Sequence, residues 1–94
     1  MKRLRTKRGL IAYHTTAAET CLIGGLGICD DCGTASPDGY LVPVLNHWQC
    51  PACFKDWANR AKHYPEDDEF EKRTARYYES RIPMTGIAGD DASG

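Results

Sequence analysis

Apolar and polar positions along the chain divide into short extended stretches in the first half and two helical stretches in the second. Residues 9–16, GLIAYHTT, are rich in branched and aromatic side chains and read as a strand. Residues 40–45, YLVPVL, read as a second extended stretch, and Pro43 is expected to keep it at a sheet edge. Ser36-Pro37-Asp38-Gly39 is expected to turn the chain before that strand, and Asn46-His47 after it. Trp48 then lies on a strand returning towards Cys50. Over 51–63, PACFKDWANRAKH, the residues Phe54, Trp57, Ala58 and Ala61 recur at spacings of three and four and make one apolar stripe. Tyr64-Pro65 ends that helix. Over 66–81, acids crowd the start and Arg73, Arg76 and Arg81 the later turns, as a helix dipole prefers. Phe70, Thr74, Tyr77 and Tyr78 are the inward face expected of this second helix.

The flanks lack such periodicity. Residues 1–8, MKRLRTKR, carry five cations and no acid and read as a basic N-terminal tail. Residues 9–81 make one domain, and 82–94 read as a flexible C-terminal tail. Gly24-Gly25-Leu26-Gly27 reads as a flexible turn. No Gly-Lys-Ser/Thr follows it, so it is not a phosphate-binding loop.

Length sharpens this picture. A chain of 94 residues buries a limited core, and a metal staple is a natural supplement. The cysteines supply one. Cys29/Cys32 and Cys50/Cys53 are two Cys-x-x-Cys pairs with seventeen residues between them. Zinc in a structural site takes four ligands in a closed tetrahedron, and two such pairs complete it. Gly33 permits a left-handed turn away from the first pair. Pro51 suits the first turn of a helix, so the second pair is expected where a helix begins. The alternatives for these cysteines are disulfides, a redox dithiol or an iron–sulfur centre. The basic start is not followed by an apolar run with a cleavage site, so a reduced, cytoplasmic setting is expected. Cys21 is the odd cysteine, expected to be a small buried thiol. His14 and His47 are left outside a shell that four cysteines already fill.

The order knuckle, hairpin, second pair at a helix start resembles the treble-clef zinc fingers. Cys29-Asp-Asp-Cys-Gly-Thr and His47-Trp-Gln-Cys-Pro-Ala-Cys are similar to the two ends of a GATA-type finger. Cys29-Asp-Asp-Cys-Gly and the proline-containing linker are similar to the zinc module of the DksA/TraR family, whose members bind RNA polymerase. Each resemblance covers about residues 29–57. It implies one structural Zn2+ on Cys29, Cys32, Cys50 and Cys53 and the knuckle–hairpin–helix topology; with the helix read over 66–81, the expected fold is a small α+β, treble-clef-like domain with a second C-terminal helix. GATA-type fingers contact DNA through cations in the central hairpin, and here GTASPDGYLVPVLNHWQ has no Lys or Arg. The DksA/TraR coiled coil has no counterpart in residues 1–28.

Charge separates the functional readings. The formal net charge is −1, which does not favour a nucleic-acid protein by default. The first expectation is a non-enzymatic module that docks a larger protein through Leu41, Val42, Val44, Tyr77 and Tyr78 and acts as a regulator. The second is nucleic-acid binding through Lys2, Arg3, Arg5, Lys7 and Arg8 of the basic tail, with Arg60 and Lys62 of the first helix. Catalysis is not expected. Four thiolates leave no open position on a metal, and no nucleophile–base motif stands out.

Overall fold

The architecture is a sheet with a helix on each face. The computed structural model describes residues 1–84 and 86–87. Strands β1 (Lys2–Arg5), β2 (Ile11–Thr16), β3 (Asp38–Val42) and β4 (His47–Gln49) pair antiparallel, and the short β5 (Gly86–Ile87) adds parallel to β1. The order across the sheet is β4-β3-β2-β1-β5. A four-residue helix, α1 (Ala17–Thr20), follows β2 and is closed at its start by a capping box of Thr16 and Glu19. Helix α2 (Pro51–Arg60) follows β4, and α3 (Asp68–Arg81) follows a 3-10 turn over Pro65–Asp67.

Side chains alternate across a strand, so consecutive apolar residues feed opposite faces. Ile11, Tyr13, Leu41 and Trp48 enter one core with Ala75 and Tyr78 of α3 and Ile82. Leu4, Leu10, Ala12 and Val42 enter the other with Phe54, Trp57 and Ala58 of α2. Tyr13 meets Tyr78 edge-to-face at 6.0 Å between ring centroids, and Tyr40 stacks on Phe54 at 4.0 Å. The Tyr78 hydroxyl donates to Asn46 Oδ1 at 2.7 Å, tying α3 to the β3–β4 turn.

This two-sided burial corrects several expectations. Leu41, Val42 and Tyr78 are core residues at 3%, 0% and 1% exposure, not docking residues. A sheet covered on both faces reads as a continuous apolar run, which one covered face would leave half exposed. Val44 is half-buried against the α2 core, and of the five expected docking residues only Tyr77 is exposed. Residues 2–5 are a strand and not a tail, because Leu4 is buried against α2 and every β1 residue has a partner on β2. Ile82 is fully buried, and Pro83 accepts a hydrogen bond from the Met1 amino group at 2.8 Å, so the chain is still anchored there. The remainder of the tail expected over 82–94 falls, at 85 and 88–94, outside the described residues.

Local details differ as well. Asp38 and Gly39 already belong to β3 and not to a turn. Gly39 is needed for close approach: a Cβ there would lie 2.8 Å from Trp48 Cε2. Pro43 lies past the end of β3, which is an inner strand, and opens the turn closed by Asn46 N–H on Pro43 O at 3.2 Å. His47 begins β4. Helix α2 stops at Arg60, as Ala61 turns extended. The inner face of α3 is Glu71, Ala75 and Tyr78, one position off the expected one, and leaves Phe70 exposed.

Candidate metal centre

The site is assembled at the β4 end of the sheet. The chain from Ile28 to Ala35 folds back on itself, with Cys29 N–H donating to Thr34 O and Gly33 N–H to Cys29 O, both at 2.9 Å. Gly33 has φ +75°, the left-handed conformation this return requires. Cys32 N–H points at Cys29 Sγ, 3.5 Å away. The knuckle is then zipped to the sheet. Asp30 N–H donates to Trp48 O and Trp48 N–H to Asp30 Oδ2, each at 2.9 Å. Asp31 accepts from the buried Gln49 amide. Two residues after Trp48, Cys50 stands as the N-cap of α2, with Pro51 in the first turn and Cys53 one turn in. The second pair thus sits at the positive end of the α2 dipole, which favours thiolate.

These connections bring the Sγ atoms of Cys29, Cys32, Cys50 and Cys53 within 4.8 Å of one another. All five cysteines are free thiols, so the disulfide alternative is not realised here. Cys32 Sγ and Cys50 Sγ are 3.8 Å apart. Zinc–sulfur bonds of about 2.3 Å in a tetrahedron set sulfurs about 3.8 Å apart, so the donor set and this edge fit a single ion bound by four cysteines. Cys29 and Cys50 are buried and Cys32 is exposed, so the cluster closes the knuckle from its solvent side. Without a cation four sulfurs at this spacing resist ionising together. Hydrogen bonds from the Thr34 side chain and backbone pull the Cys32 thiol down to about 6, while the neighbouring sulfurs, Cys32 first, push Cys53 up. A divalent ion relieves that conflict, and when bound it cross-links the knuckle to α2.

Neither early histidine joins the sulfurs. His14 Nε2 lies 2.8 Å from Asp38 Oδ2, and His47 Nδ1 lies 3.5 Å from Asp31 Oδ1. Cys21 is exposed, against the expectation of a buried thiol, because it follows α1 on the outer turn with its Sγ towards Ala17 O. Sequence reasoning does not single out Asp30, Asp31 and Thr34, which orient the knuckle. The acid pair inside the first Cys-x-x-Cys is the one signal the sequence offers for them.

Three of the expected anion contacts have partners within the fold. Arg3 faces Glu79 of α3 at 3.9 Å, Arg5 donates to Gly9 O at 2.9 Å, and Arg60 pairs with Asp56 at 3.2 Å. Lys2, Arg8 and Lys62 are exposed. Lys7 and Lys55 both line a cleft of about 380 Å³, together with Tyr40 and Phe54. No helix among the described residues is long and apolar enough to cross a membrane.

Comparison of the chain with protein families, curated proteins and solved structures found no match. The ligand spacing shared with GATA-type fingers and the DksA/TraR module therefore rests on the cysteines and their neighbours alone.

Proposed function

We propose that this chain is a non-enzymatic zinc-binding module that docks a larger protein and regulates it. The observation that carries the reading is the group of four sulfurs on the knuckle and the start of α2. A closed shell of four thiolates has no position for water or substrate, so its role is structural. The chain order of knuckle, β3–β4 hairpin and α2 supports a treble-clef-like reading, with β1 and β2 widening the sheet and α3 packed against it. The docking surface shifts from the hairpin to the loop before the knuckle. Leu22, Leu26 and Ile28, exposed at 52%, 83% and 44%, supply its apolar side chains.

The test pairs two measurements. Metal analysis of the purified protein is expected to find one zinc held by the cysteines. The paired variant Leu26→Glu/Ile28→Glu is then expected to lose a protein partner that the parent retains at high salt and after nuclease. Retention of that partner by the variant would remove this surface from the account.

Nucleic-acid binding is the second reading, and Lys7 and Lys55 on one cleft favour it. Neither lysine has an ion pair among the described residues, and no acid lines the cleft. A complex made there weakens steeply with salt, and Lys7→Glu/Lys55→Glu abolishes it. Binding that ignores salt contradicts this second reading.

A further inference from the structure

A second group of ligands lies at the start of α3. His63, in the link between α2 and α3, faces Asp68 and Glu71 of the first helical turn. His63 Nε2 is 3.7 Å from Asp68 Oδ1 and 3.8 Å from Glu71 Oε1, and the three ligand atoms lie within 4.8 Å of one another.

Glu71 is the informative member. Its side chain is only 3% exposed, and a buried carboxylate is costly unless its lone pairs are met. One oxygen is met: Oε2 accepts the backbone N–H of Ile11 at 3.0 Å. Oε1 has no hydrogen bond among the described residues. It points at the His63 ring across a gap too long for one. Asp68 repeats the arrangement. Its Oδ2 is held by Lys72 Nζ at 2.9 Å, and its Oδ1 is turned to His63. Each carboxylate thus has one oxygen fixed from behind and one presented to a common point. Outer partners fix the carboxylates of metal sites in the same manner.

We propose that His63, Asp68 and Glu71 bind a second divalent ion of the zinc class, with water completing its coordination. One imidazole with two carboxylates suits a borderline transition metal better than Ca2+ or Mg2+, which prefer all-oxygen shells. Ligand atoms about 2.1 Å from such an ion stand about 3.0–3.4 Å apart. The two gaps to His63, 3.7 and 3.8 Å, close by a few tenths of an ångström when His63 and Asp68 move, and both are partly exposed. Glu71, locked on Ile11, is the fixed point. The ion would tie the α2–α3 link to the start of β2, where the cysteine cluster does not reach.

Calorimetry with zinc chloride tests this on the full chain already holding one equivalent of zinc. Native mass spectrometry counts the metal, and nitrogen chemical shifts of the His63 ring report the second ion whatever the state of the cysteines. A second equivalent is expected that moves the His63 Nε2 resonance. Its affinity should fall about tenfold or more in both His63→Ala and Asp68→Asn, with the first equivalent unchanged. Glu71→Gln should abolish it, but that residue is buried, so the two partly exposed positions decide. A parent that binds no second ion, or a second ion bound equally by His63→Ala and Asp68→Asn, overturns the proposal and leaves His63 as a simple electrostatic partner of the two acids. Loss of the first equivalent with the His63 response intact would instead count against the cysteine site.

Discussion

The two ends of the sheet are held by different means. At the β1–β2 end, α3 and α2 clamp both faces, and residues as large as Tyr13 and Tyr78 are 0% and 1% exposed. At the β4 end, the knuckle has little apolar surface of its own. Asp30, Asp31, Cys32, Gly33, Thr34 and Ala35 are all exposed, and hydrogen bonds and sulfur are what return this segment to the sheet. A core excludes water in proportion to the area it buries, whereas a metal holds a segment that buries almost none. The contrast shows what a metal at the four cysteines would add to a core this small.

Metal loss is the perturbation of largest expected effect, since structural zinc binding in small zinc-finger modules is worth about 10–16 kcal/mol of apparent free energy at neutral pH. Chelation, or Cys29→Ser, should expose the amides of residues 28–35 and the first turn of α2 to hydrogen exchange. The β1–β2 pairing should keep more protection than either. Equal loss at both ends would erase the distinction.

Tyr78→Ala attacks the apolar core under α3 instead. It removes the ring packed on Tyr13 and the hydrogen bond to Asn46, and should cost about 3–5 kcal/mol in denaturant unfolding. Zinc affinity of the folded protein should change little. Asp30→Ala reverses that selectivity: it frees Trp48 N–H and loosens the knuckle, lowering zinc affinity about tenfold in competition with a chelator. Asp56→Ala is the smallest. Its partner Arg60 is exposed on α2, so stability should move by no more than about 0.5 kcal/mol.

What the residues revealed beforehand follows the same division. The grouping of the four cysteines, the helix start at Pro51 and the two helices are legible, because cysteine spacing and three-four periodicity are local signals. The covering of both sheet faces was not. Leu4 is a lone apolar residue in a run of cations, and charge hid a strand whose burial depends on distant Phe54 and Trp57. Glu71 had the same effect in α3. A buried acid on the inner face disguised the 71, 75, 78, 82 spacing, and the amide it satisfies lies sixty residues away in the chain. Gly39 looked like a turn residue because its true constraint, the Trp48 ring, is visible only once β3 and β4 are paired.

Everything proposed for the metal centre turns on one ion joining the knuckle to α2 through four sulfurs. X-ray absorption at the zinc edge, on protein loaded with a single equivalent, tests it most directly. The expected spectrum is a shell of four sulfurs at about 2.3 Å with no nitrogen or oxygen neighbour. A mixed shell, or one with fewer sulfurs, would contradict it.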